Sequence, residues 1–193
     1  MPLDTITTIA TPRLELVPLA PEHLDDLMAV NGDDRVTRFL PYATWASRLD
    51  AEAWFIRMQG LQEAGGTRQL VLKRLSDARA IGTLLLFRHE EASRRAELGY
   101  AMAADCWGQG YMREAVRGAC AHAFGPLGLR RLEAEVNPAN AASCRLLEQV
   151  GFVHEGTLRQ RWTAKDHTYD THLMGLLLED WQGLVEKAPA RSS

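Results

Sequence analysis

Hydrophobic positions change their period several times along the chain, and each change marks an element. Over 13–19 apolar residues alternate in part (Leu14, Leu16, Leu19), which predicts a first strand ended by Pro18 and Pro21. Pro21 suits a first helical position, Leu24, Leu27 and Met28 then share one helical face, and Gly32 stops the run. A short second helix is predicted over 34–40, before Pro41. Ser47-Arg-Leu-Asp50 has the form of a capping box, and Trp54, Phe55, Met58 and Leu61 continue a helical face as far as Gly65-Gly66. Of the aromatic residues here, Trp45 is the one expected outside the core.

Three strand-like runs follow, 68–74, 80–87 and 95–102, separated by polar turns such as Ser76-Asp77, and they predict a meander. The pattern then changes to a Gly-containing loop, a helix over 111–124, a Gly125-Pro126 stop and a strand over 129–136, a βαβ-like unit. A shorter helix over 141–150, closed by Gly151, leads to two last strands, 152–162 and 169–178. The tail 188–193 is expected to be disordered. The sum is a single α/β domain over 1–187, a mixed sheet with helices on both faces.

Composition narrows the partners. At 193 residues, 46% hydrophobic and 24% charged, the chain has enough apolar surface for one well-buried domain. Lys and Arg number 22 against 25 Asp and Glu, so there is no chain-wide basic field for nucleic acid or an anionic membrane, and neither is expected as a partner. Cys106, Cys120 and Cys144 are an odd, widely spaced set, which argues for a reducing compartment. Asp4 stands where a signal peptide needs positive charge and no apolar h-region follows, so the expected location is cytoplasmic, as a monomer or homodimer. The apolar runs 84–87 and 173–178 are too short to span a bilayer and read as buried strands.

The segment Trp107-Gly108-Gln109-Gly110-Tyr111-Met112-Arg113 joins a predicted strand to a predicted helix start. Glycines there let backbone approach a ligand, and the unpaired N–H groups of a helix start favour an anion such as a pyrophosphate. By spacing alone a plain tight turn fits as well. Arg113 replaces the third glycine of a dinucleotide fingerprint, and no Gly-Lys-Ser/Thr makes a nucleotide P-loop. A second segment, Asn137-Pro138-Ala139-Asn140-Ala141-Ala142-Ser143, places Asn140 as a helix N-cap and the Ser143 hydroxyl in the first turn; from the residues alone, simple capping is the better explanation of both. No histidine is locally paired with Cys106 or Cys144, which makes an acyl-cysteine intermediate a minor option, and His167 and His172 are not spaced as a metal pair, so no metal is expected.

Taken together and in order, Thr11-Pro-Arg-Leu14, Glu97-Leu-Gly-Tyr100, Trp107-Gly-Gln-Gly-Tyr-Met-Arg-Glu-Ala115, Asn137-Pro-Ala-Asn-Ala-Ala-Ser143 and Glu148-Gln-Val-Gly-Phe152-x-x-Glu155-Gly156 resemble the RimJ/RimL-type N-acetyltransferases of the GNAT superfamily over about residues 11–180. The resemblance implies a mixed, mostly antiparallel sheet whose central strand pair splays apart to hold acetyl-CoA, the acetyl donor. It would pair the pantetheine arm with the backbone of Tyr100, Ala101, Met102 and Ala103. The diphosphate would sit on the turn formed by Trp107, Gly108, Gln109, Gly110, Tyr111, Met112 and Arg113. Asn140 would bond the cofactor arm, and Ser143 takes the family position proposed to protonate the leaving thiolate. The chain departs from the superfamily motif at Trp107, where Gln or Arg is usual, and at Met112, where Ala or Gly is usual.

Trp162 stands where RimL-type enzymes carry a glutamate proposed as base, so a replacement carboxylate is sought among Glu97, Glu133, Glu135 and Glu155. Glu97 is chosen because it alternates with the small residues Gly99 and Ala101 on the strand expected to line the cofactor; Glu135 reads as a solvated strand residue. An α-amine of pKa about 7.7–8.0 is roughly a tenth unprotonated at pH 7, a lysine of pKa about 10.4 only about once in two thousand. A site that has lost the usual base suits α-amines, in line with the N-terminal specificity that the resemblance implies. The reading is therefore direct acetyl transfer to a protein or peptide N-terminus in a ternary complex. A polyamine or small-molecule acceptor, an acyl-CoA-binding module with little turnover, and an interaction domain whose glycine loop is only a turn are the alternatives.

Overall fold

The computed structural model of the chain describes residues 1–187. Its first strands, β1 (Ile9–Ala10) and β2 (Leu14–Pro18), are followed by helices α1 (Leu24–Asn31), α2 (Asp34–Thr37) and α3 (Arg48–Glu63). The meander is β3 (Arg68–Arg74), β4 (Ala80–Glu90) and β5 (Arg95–Met102), succeeded by α4 (Tyr111–Phe124), β6 (Arg131–Val136) and α5 (Ala141–Val150). A long hairpin, β7 (Val153–Ala164) and β8 (His167–Leu177), precedes helix α6 (Leu178–Lys187). All strands join one sheet in the order β1-β2-β3-β4-β5-β6-β8-β7, antiparallel except at β5–β6. The mixed, mostly antiparallel sheet is the one the sequence predicts.

Burial along the strands shows how the layers sit. In β3 Gln69 to Leu72 and in β4 Ala80 to Leu84 are buried without alternation, so both faces of the sheet are covered there. Helix α1 packs over β4 and α3 over β3, while α4 lies against β1, β2 and β6. Helix α4 can approach closely because its buried stripe, Ala115, Ala119, Cys120 and Ala123 around Val116, is made of small residues at helical spacing. Strand β6 alternates strictly, Leu132, Ala134 and Val136 buried against Arg131, Glu133 and Glu135 half-buried on the other face. The outer strand β7 is exposed along most of its length.

Three parts depart from the sequence pattern. Helix α6 begins at Leu178, inside a run that reads as strand, and Gly183 hides its helical period; its Trp181 is buried against Phe124, ring centroids 6.1 Å apart. Trp45 is in the core, 6% exposed and 5.4 Å from the Trp54 ring, because its backbone N–H is tied to the Asn31 carbonyl at the end of α1. The N-terminal segment is packed as well, with Leu3 and Ile6 buried ahead of β1. The tail 188–193 lies outside the described residues.

Candidate active site

The sheet opens at its centre. Strands β5 and β6 pair only at Arg95–Arg131, Ala96–Leu132 and Glu97–Glu133, and beyond that rung both continue without a partner on the facing edge. Across β5, the Ala103 N–H donates to the Ile81 carbonyl, 2.9 Å. Backbone direction alternates along a strand, so Ala101 and Ala103 also turn their polar groups toward β4, and those of Tyr100 and Met102 face the gap. The stretch 100–103 therefore offers a ligand two residues' backbone groups, not four. Of these, the Met102 carbonyl already accepts from the Trp107 indole Nε1, 2.8 Å. Trp107 thus ties the glycine loop to the open edge of β5.

The loop has the geometry of an anion cradle. Gly108 and Gly110 adopt φ of 73° and 80°, and Gly110 is the N-cap of α4. A Cβ on Gly110 would lie 3.5 Å from Arg13 Nη2 and 3.9 Å from Arg113 Nη2, so two guanidinium groups converge over the amides of the helix start. Arg13 is held there by Nε donating to Glu114 Oε2 (2.6 Å) and Nη1 donating to the Gln109 carbonyl (3.0 Å), and it stacks 4.4 Å above the Tyr111 ring. The Met112 side chain turns into the core, which leaves the turn unobstructed and gives Met112 only a backbone amide to contribute.

At the far side of the gap Asn140 caps α5, its Oδ1 accepting from the Ser143 N–H at 3.2 Å. The side-chain Nδ2 remains as the group with which Asn140 can donate to a ligand. The Ser143 hydroxyl is 2.8 Å from that of Tyr100 on β5, a contact between the two arms of the opening. Burial pushes the Tyr100 phenol well above its ordinary pKa, against the pull of the Ser143 hydrogen bond.

Glu97 sits on the last closed rung and points to the opposite face of the sheet from Tyr100. It is buried, and its Oε2 accepts from Arg88 Nη1 at 2.6 Å. Burial raises its carboxyl pKa; Arg88 pulls it back, and Glu135 and Glu133 push it up further. Sequence reasoning missed the company it keeps. Glu135, taken as solvated, has a side chain only 12% exposed. Its Oε1 accepts from Arg88 (3.2 Å) and its Oε2 from the Trp162 indole (2.5 Å). Two bulges, with Arg88 at φ 49° and Gln160 at φ 50°, aim Arg88 and Trp162 onto it. Glu133 and Glu155 are bound by Arg131, and Glu133 also by Arg95.

Over this face lie α2, which packs on β5, and the tip of the β7–β8 hairpin, whose Lys165 Nζ donates to the Thr37 carbonyl at the end of α2, 2.7 Å. Gly99 and Ala101 leave room beneath, since even a Cβ on Gly99 would meet nothing nearer than Phe87 at 3.7 Å. Among the described residues no group of three His, Cys, Asp or Glu side chains is arranged to hold a metal, and no helix is long and apolar enough to cross a membrane.

The fold is shared with known proteins. The sequence profile of the GNAT acetyltransferase domain matches residues 13–153. The uncharacterized N-acetyltransferase YoaA of Bacillus subtilis is 31% identical over 170 residues, covering 88% of this chain and 96% of the relative. YdaF of the same organism, a candidate ribosomal N-acetyltransferase, is 26% identical over 168 residues, 87% of this chain and 91% of its own. A GCN5-related N-acetyltransferase of Brucella melitensis shares the fold, with a TM-score of 0.85 at 23% identity, over 95% of this chain and 88% of that one. With the profile matched across most of its length and YoaA related to nearly all of it, the chain belongs to the GNAT family and is an acetyl-CoA-dependent N-acetyltransferase.

Proposed function

We propose that this enzyme transfers the acetyl group directly from acetyl-CoA to the α-amine of a protein or peptide N-terminus, in the cytoplasm. The observation that carries the reading is the opening beyond the Glu97–Glu133 rung, with a hydroxyl on one face and a carboxylate on the other. In this reading the pantetheine amides pair with the gap-facing backbone of Tyr100 and Met102, and the Asn140 Nδ2 donates to the same arm. The diphosphate rests on the amides from Gly108 to Arg113 beneath the Arg13 and Arg113 guanidinium groups. Ser143 meets the leaving sulfur. The acceptor enters from the face covered by α2 and the hairpin tip, and Glu97 takes the proton its ammonium must lose before nitrogen can attack. An amine already partly unprotonated near neutrality asks least of a carboxylate that also holds Arg88. The kinship with YdaF supports a ribosomal or other protein N-terminus as acceptor.

The test is mass spectrometry of a mixture containing acetyl-CoA, the enzyme and three acceptor sets: peptides with free N-termini, the same peptides blocked at the N-terminus but carrying lysines, and spermidine. Free N-termini are expected to be acetylated first. Preferential modification of lysines or spermidine would overturn the acceptor assignment.

A further inference from the structure

Tyr100 and Ser143 come from opposite arms of the opening, yet their hydroxyl oxygens are 2.8 Å apart. A hydrogen bond between two hydroxyls has one donor, and which one donates decides where the other proton points. Tyr100 is half-buried on β5 and its phenol, pushed up by desolvation, stays protonated; Cys144, a titratable group beside it, is also kept protonated by burial. A neutral phenol is more acidic than a serine hydroxyl and is the better donor of the two. The Ser143 N–H is already taken by Asn140, which fixes the turn that carries the hydroxyl.

We propose that Tyr100 is a positioning residue that donates its hydroxyl proton to Ser143 Oγ and so turns the serine O–H toward the leaving sulfur. This deepens the reading of Ser143 given above and rests on it. The amine lone pair forms the C–N bond, and the C–S bond breaks with its electron pair remaining on sulfur. A serine hydroxyl is too weak an acid to surrender its proton outright to a thiolate of pKa near about 8.5, so its hydrogen bond stabilises the growing charge. The thiolate then takes up a proton equivalent to the one the amine releases, and Tyr100 keeps its own throughout.

The test is a double-mutant cycle on the full chain with Tyr100→Phe and Ser143→Ala. Tyr100→Phe is expected to lower kcat about tenfold at pH 7, with KM for acetyl-CoA and the melting temperature close to the parent's, and the defect should shrink as pH rises toward about 9. In a protein that already carries Ser143→Ala, adding Tyr100→Phe should cost nothing more. A Ser143→Ala variant as fast as the parent would sink the role of Ser143 itself. A slow Ser143→Ala beside an unimpaired Tyr100→Phe, or additive losses in the double variant, would overturn the positioning role alone. Should Tyr100→Phe fail to fold, 3-fluorotyrosine at position 100 keeps the shape with a more acidic phenol. As a stronger donor to Ser143 Oγ it should raise kcat at pH 7 in the protein that keeps Ser143 and leave kcat unchanged in one carrying Ser143→Ala; no change in the first, or an equal change in both, overturns the proposal.

Discussion

Glu114, in the first turn of α4, holds Arg13 from a hundred residues earlier by two routes at once, accepting from its backbone N–H at 2.7 Å and from its Nε at 2.6 Å. Thr11 donates to the same carboxylate, 2.7 Å. One carboxylate thus docks the N-terminal strands onto the helix whose start forms the anion cradle, and sets the guanidinium over Gly110. Burial would raise the Glu114 pKa, but the bonds from Thr11 and Arg13 outweigh it and hold it below the usual range.

Glu114→Gln is therefore expected to cost roughly 1–2 kcal/mol of stability at pH 7, less than a fully buried pair because Arg13 is half exposed. The sign follows from linkage: a depressed carboxyl pKa contributes stability above its unfolded value, about 4.3, and loses it as pH falls through the folded value. The gap between parent and variant should close below about pH 4 in denaturant titrations. A gap that does not change with acid would mean that the carboxylate's charge does not hold the strand.

Gly110→Ala tests the cradle. At φ 80° an L side chain is strained, and its methyl group would stand 3.5 Å from Arg13 Nη2, where a diphosphate oxygen is expected. Calorimetry should show acetyl-CoA affinity reduced about tenfold or more, a loss of at least about 1.4 kcal/mol. Full affinity in a folded variant would place the diphosphate elsewhere.

What could be read from the sequence divides along physical lines. The cap at Asn140 and the stop at Gly151, whose φ is 114°, are local features encoded in a few neighbouring residues, and both stand as predicted. The Arg13–Glu114 contact is a matter of tertiary docking between segments a hundred residues apart, which no local pattern encodes. The Glu135–Trp162 pair was hidden for a different reason. It depends on positive φ at Arg88 and Gln160, residue types that do not announce such a conformation, so a glutamate on an alternating strand looked solvated. Trp45 misled because a tryptophan in an irregular segment carries no period; a single backbone bond to Asn31 draws it inward.

Lys165 is expected to act on acceptor binding alone. Its ammonium joins the hairpin tip to the end of α2, over the face proposed for acceptor entry and away from the loop proposed to hold the diphosphate. Lys165→Met should raise KM for a peptide acceptor about five- to tenfold, leaving KM for acetyl-CoA and kcat at saturating peptide near the parent's. Equal changes in both KM values would show that the bridge supports the whole domain and not the acceptor cover.

Glu97→Gln separates a base from a bystander through the shape of its pH–rate profile. With its pKa raised by burial, Glu97 is protonated at low pH and accepts a proton only above that raised value. At the other end, an α-amine loses its proton to water without help above about pH 8. Between the two the amine is charged and the carboxylate can act, so the deficit of the variant should be largest there, within the roughly 10²–10⁴ typical of general base catalysis, and should shrink in both directions. Stability supplies an independent sign. A carboxyl pKa raised in the folded state contributes stability at low pH and loses it as pH rises through the folded value, so the parent's advantage over the variant should narrow with rising pH. Arg88, left without the 2.6 Å partner, keeps Glu135, which limits the damage to the fold. Superimposable profiles of kcat/KM from pH 5 to about 9, in a variant that binds acetyl-CoA normally, would assign deprotonation of the amine to water or to another group.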